Sequence, residues 1–115
     1  MAGALALNTY KTVRANVTTG ITTVYTAPSG VSSIHLFSVV SNTSSGIATV
    51  TVLHSRATGE DAGSYELIRN FRIPATDAVN PIGGSLVLEV GDQIQVQGSA
   101  DSAMKFTLSI LESAK

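Results

Sequence analysis

Ser85–Leu111 reads SLVLEVGDQIQVQGSADSAMKFTLSIL. It holds three short runs that alternate apolar and polar residues, separated by two turns. In the first run, 85–90, Leu86 and Leu88 share a face. Gly91-Asp92 turns the chain. In 93–98, Ile94 and Val96 point one way while Gln93, Gln95 and Gln97 point the other. Residues 99–103 turn again. In 104–111, Met104, Phe106, Leu108 and Ile110 are in phase, opposed by Lys105, Thr107, Ser109 and Leu111. A period of two places alternate side chains on opposite faces of a strand, so each run has one face for a core and one for its surroundings.

The same reading extends toward the N-terminus. Residues 9–18 place Val13, Ala15 and Val17 on one face and Tyr10, Thr12 and Arg14 on the other. Residues 21–26 form a short strand closed by Ala27-Pro28-Ser29-Gly30, a turn in which proline fixes φ and glycine permits a positive φ. Residues 32–42 follow, with Ile34, Leu36, Ser38 and Val40 expected on one face. Asn42–Gly46 is a hairpin loop. Residues 47–54 alternate again, with Ala48, Val50, Val52 and His54 opposing Ile47, Thr49, Thr51 and Leu53. Arg56–Ser64 is a polar connection. Residues 65–73 are expected to keep Tyr65, Leu67, Arg69, Phe71 and Ile73 in phase, and 74–84 to form an irregular loop. Pro28, Pro74 and Pro81 each sit where a strand should stop. No helical period is visible, and β-branched residues dominate.

About eight short strands at intervals of roughly 8–12 residues predict an all-β fold, a single antiparallel sandwich. Tryptophan and cysteine are absent, which removes the immunoglobulin markers and leaves a jelly-roll-like sandwich as the expected form. The expected organisation is an N-terminal arm over 1–8 and a sandwich domain over 9–115. The chain of 115 residues fits one domain.

Composition narrows the function. Charged residues make up 13% of the chain, against about 25% in typical globular proteins. Net charge is −1 and no basic stripe exists. Tyr65, Arg69, Phe71, Arg72 and Arg56 form no positive stacking platform, so nucleic acid is not an expected partner. No run approaches the ~20 apolar residues that span a bilayer, and membrane is not an expected partner either. The first eight residues lack a basic region and a long apolar run, which points to a cytoplasmically made protein.

No catalytic, cofactor or metal site is expected. His35 and His54 lie on separate strands, with no acid within three residues of either, and read as plain strand histidines rather than zinc ligands. Glu60, Asp61 and Glu66 surround a loop without the alternating oxygen ligands of a calcium site. No nucleophile elbow or phosphate loop appears, and Gly83-Gly84 lacks a following helix and lysine. Asn16-Val17-Thr18 and Asn42-Thr43-Ser44 match the glycosylation pattern but read as chance matches. Outward positions such as Thr22, Thr23, Thr49, Thr51, Gln93, Gln95 and Gln97 carry hydroxyls and amides instead of charge. Such surfaces suit burial against another chain, where an unpaired ion is costly. The expected behaviour is a homo-oligomer or lattice subunit, and the plain alternative is a monomer with a threonine-rich surface.

One ordered set of segments goes further. Thr22–Val31 (TTVYTAPSGV) is followed by Asn42–Gly46 (NTSSG), Ala48–Val52 (ATVTV), Tyr65-Glu66-Leu67, Ile73-Pro74-Ala75 and Leu86–Val96 (LVLEVGDQIQV). In order and spacing this set resembles a group of small phage-encoded β-sandwich proteins. The resemblance spans roughly residues 20–111. It implies a non-enzymatic virion structural protein, either a capsid decoration (cement) protein or an accessory part of neck, tail or fibre. It also implies assembly as a homotrimer or larger symmetric set, with major capsid or neck and tail proteins as partners. No catalytic residue comes with it. A carbohydrate-binding host-attachment module is the alternative, and an enzyme accessory domain or a small hydrolase a more distant one. Residues 1–8 fall outside the resemblance and are expected to form an arm that orders against a neighbour.

Overall fold

The computed structural model describes residues 8–114. Nine strands occur among them: β1 (Asn8–Asn16), β2 (Thr22–Thr26), β3 (Val31–Asn42), β4 (Ala48–Arg56), β5 (Gly63–Ile73), β6 (Ala78–Val79), β7 (Leu86–Leu88), β8 (Gln93–Gly98) and β9 (Met104–Ala114). No helix occurs among the described residues. Two antiparallel sheets face each other. One runs β1-β9-β3-β6, with β7 also paired to β3, and the other runs β2-β8-β4-β5. β6 and β7 occupy opposite ends of one strand position beside β3. With that position counted once, the two orders are those of an eight-stranded jelly roll.

The alternation read from β8 and β9 holds. Ile94, Val96, Met104, Phe106, Leu108 and Ile110 are all fully buried. They meet Val17, Val40, Val50, Val52 and Leu88 between the sheets. A core of this size removes many apolar side chains from water, at roughly 1.5–3 kcal/mol for each large one fully buried.

Two strands depart from the expected phase, both through bulges. In β3 the pairing with β9 shifts between His35 and Phe37. The extra residue, Leu36, breaks the period of two. Ser33 and His35 therefore face inward before it and Ser38, Val40 and Asn42 after it. Ile34 and Leu36 do not share a face with Ser38 and Val40 as the alternation predicted. In β5 the pairing with β4 shifts twice, around Leu67 and around Asn70. Asn70 has φ 47°, a left-handed conformation that asparagine tolerates better than most residues. Opposite the inward Val52 and Val50 stand Ile68 and Phe71. Arg69 leaves the expected apolar phase and is exposed. The expected loop 74–84 also contains β6, two residues paired with Val40 and Ser41.

The arm expected over 1–8 lies outside the described residues except for Asn8, which already pairs with Ser113 at the start of β1.

Candidate assembly surface

The two outer faces of the sandwich differ. On the β2-β8-β4-β5 sheet, Thr23 stands opposite Gln95 and Thr26 opposite Gln93. Gln95 donates to Thr23 Oγ1 at 3.2 Å and to Gln93 Oε1 at 3.3 Å, and Gln97 donates to the Thr19 carbonyl at 2.9 Å. This polar face satisfies itself. Thr22 is not part of it: it pairs with the buried Val96 and faces inward.

The β1-β9-β3-β7 sheet carries the opposite pattern. Its registers set Tyr10 beside Leu111, Leu111 beside Ile34, and Ile34 beside Val87. Directly opposed residues share a face, so these four form one apolar row across four strands on the outside. Tyr10 is 72% exposed and Val87 62%. The Leu36 bulge adds two more exposed apolar side chains, Leu36 and Phe37. Alternation had suggested Leu111 and Tyr10 as outward positions. It could not show that strands far apart in sequence align them.

Buried polar networks close the core. At one end, Tyr25 crosses between the sheets and donates to Glu112 Oε2. Its single proton is thereby committed, so Ser33 donates to the phenol oxygen at 2.9 Å. Lys11 reaches Glu112 Oε1 at 3.1 Å. Burial, then the bond to Glu112, raises the Tyr25 pKa to about 12. The Tyr25 bond, with Lys11 adding to it, holds the Glu112 pKa below the ordinary range.

A second network joins residues distant in sequence. His54 and Arg56 lie on the inward phase of β4, and Asp92 lies in the turn between β7 and β8. Asp92 is fully buried. Arg56 donates to both of its oxygens, at 2.9 and 2.8 Å. His54 Nε2 donates at 2.8 Å and the Glu89 amide at 2.9 Å. The Arg56 bonds, with His54 helping, hold Asp92 well below the usual carboxylate range. Arg56 also reaches Glu89 and Asp61. An acid so fully engaged has little capacity left for a metal or substrate. It acts as a clamp between β4 and the β7–β8 turn. No acid lies within three residues of His54 in the chain; the fold supplies one 38 residues away.

The other candidates resolve individually. His35 is buried, with Nδ1 donating to the Gly84 carbonyl at 2.8 Å and Nε2 unpartnered. Asn42 is 1% exposed. Its amide nitrogen donates to the Gly46 and Ile73 carbonyls, and its oxygen accepts from Ser44. It is a loop anchor, sealed from any glycan transfer. Asn16 is exposed and accepts from Lys105 at 2.7 Å. Glu60 and Asp61 sit at an exposed loop tip, with Asp61 bound to Arg56. Glu66 pairs along its strand with Arg69 at 3.6 Å. Among the described residues, no three His, Cys, Asp or Glu side chains gather as a metal site. A groove of about 640 Å³ between β1 and β9 is lined by Arg14, Asn16, Lys105 and threonines, without a carboxylate or imidazole.

No family model matches the chain, and no curated protein matches it. A solved structure of Bacillus endospore appendages, described as forming a novel family of disulfide-linked pili, is similar in fold, with a TM-score of 0.54 at 10% identity. The similarity covers 100% of this chain and 99% of that one. At this identity the likeness extends to the fold: an all-β sandwich, end to end.

Proposed function

We propose that this chain is a non-enzymatic structural subunit of a bacteriophage particle, one that decorates or stabilises the capsid through protein–protein contacts. The observation that carries the reading is the outward apolar row Tyr10–Leu111–Ile34–Val87, exposed at Tyr10 and Val87 and half-buried at Leu111 and Ile34, extended by the exposed Leu36 and Phe37. Contiguous exposed apolar surface marks a contact site. The partners would be further copies of the chain, as a trimer or larger symmetric set, and the major capsid or neck and tail proteins. The place of action is the virion. Mass spectrometry of purified particles tests this. Hundreds of copies per particle support decoration, a small fixed number supports a neck or tail position, and absence from particles overturns the reading.

A second reading, a subunit of a surface filament, draws on the pilus structure, which this chain matches over its whole length. The linkage named for those pili cannot operate here, because this chain has no cysteine. A glycan-binding module is less well supported. Tyr10 and Phe37 lie on one sheet, and Tyr65 and Phe71 lie apart along β5 of the other, so the exposed aromatics form no cluster at one loop end.

A further inference from the structure

Sheet edges offer unpaired backbone groups to any passing strand, and proteins blunt them by short length, bulges, proline or charge. Three of the edges here are blunted. β2 has five residues and a bulge between Thr23 and Tyr25. β5 is bulged twice and carries Arg69 and Arg72. β6 and β7 have two and three residues. β1 is different. It runs nine residues without a proline, in unbroken register with β9 from Asn8↔Ser113 to Asn16↔Lys105. Its other side meets no strand among the described residues. The inward charge on it, Lys11, is held by Glu112 at 3.1 Å.

We propose that the free edge of β1 pairs antiparallel with β1 of a second copy, about a two-fold axis at Thr12, so that the two β1-β9-β3 sheets become one. This rests on the reading of the chain as an assembling subunit. The register follows from charge. A two-fold axis at Lys11 would set two lysines face to face, and one at Arg14 would set two arginines so; like charges directly opposite are destabilising. An axis at Val13 avoids this but leaves Asn8 and Thr9 unpaired. The axis at Thr12 pairs the whole strand. Tyr10 then faces the partner's Arg14, where a guanidinium can lie over the phenol ring. Lys11 faces the partner's Val13, and Asn8 faces the partner's Asn16. The outer apolar rows of both copies then share one continuous face. A two-fold contact is isologous and closes on itself. It therefore makes dimers, or joins trimers in pairs through a different contact.

The full chain is measured by sedimentation equilibrium across a concentration series. Even-numbered assemblies are expected; a monomer at all concentrations overturns the proposal. Thr12→Cys should form a covalent dimer on oxidation, because the two introduced thiols meet at the axis, whereas Thr107→Cys, mid-sheet on the same face, should not. Thr12→Lys should weaken association by about tenfold, roughly 1.4 kcal/mol, with an unchanged thermal midpoint at concentrations dilute enough that both proteins are monomers. Assembly that persists in Thr12→Lys, with no cross-link in Thr12→Cys, overturns β1 pairing and leaves the subunit reading standing. The same result joined to loss of assembly on deleting residues 1–7 overturns it in favour of the N-terminal segment as the edge's occupant. The subunit reading fails separately, by absence from particles.

Discussion

The imidazole of His35 has one nitrogen bound to the Gly84 carbonyl and the other facing only buried surroundings. Protonating it would leave a buried N–H without an acceptor, and burial accordingly lowers its pKa. An unfolded histidine takes up its proton near pH 6.5, while the folded one resists. The stability this contributes is therefore complete above about pH 6.5 and is lost as pH falls below it, by at most ~1.4 kcal/mol per pH unit until the folded form also titrates. Urea midpoints measured from pH 7 to pH 5 should slope downward in the native protein and less steeply in His35→Leu. Equal slopes would show that the ring is protonated at no cost. The contribution of the carboxylates falls in another window. Asp92 and Glu112 have lowered pKa values, so what they add is present above their unfolded values, near pH 4, and disappears as pH drops further.

Between elements, the decisive contacts are those that tie a turn to a strand. Asp92 fixes the β7–β8 turn to β4 through Arg56 and His54, and its own carbonyl accepts from the Ala27 amide at 2.8 Å, just past β2. Asp92→Asn keeps the shape but removes the charge. Arg56 keeps Glu89 and Asp61 as partners, so what is lost is the charge on the hydrogen bonds to buried Asp92, and the variant should lose about 2 kcal/mol in chemical denaturation. A loss under 1 kcal/mol would mean that the clamp is replaceable by water. How much of this was legible in sequence depends on distance along the chain. Strict alternation in 93–98 and 104–111 marked β8, β9 and their buried faces, because period two is a local property. The bulges at Leu36, Leu67 and Asn70 were not legible. A bulge adds one residue to an otherwise ordinary strand and shows only when the partner strand is in view. Asp92 looked like a turn residue beside Gly91, and nothing in its neighbours announced His54. The apolar row was hidden for the same reason: Tyr10, Ile34, Val87 and Leu111 come together only through pairing across four strands.

At the scale of the molecule, the low charge has two different meanings on two faces. One sheet spends its hydroxyls and amides on each other through the Gln95–Thr23 and Gln97–Thr19 bonds. The other leaves apolar side chains unmatched by any group of its own. If the molecule works by being covered, only the second face should be sensitive to charge. Val87 is a solvent-exposed strand residue that stands at the end of the row, so Val87→Lys should change stability by no more than about 0.5 kcal/mol. It should nevertheless cut occupancy on particles by roughly tenfold, since a lysine carried into an apolar contact must be desolvated without a partner, and 1.4 kcal/mol is enough for that factor. Thr23→Lys, on the self-satisfied face, should leave occupancy unchanged. Occupancy measured on particles stripped and re-loaded with each variant makes the comparison. Equal loss from both faces would place the contact elsewhere on the sandwich, and loss from Thr23→Lys alone would move it to the β2-β8-β4-β5 sheet.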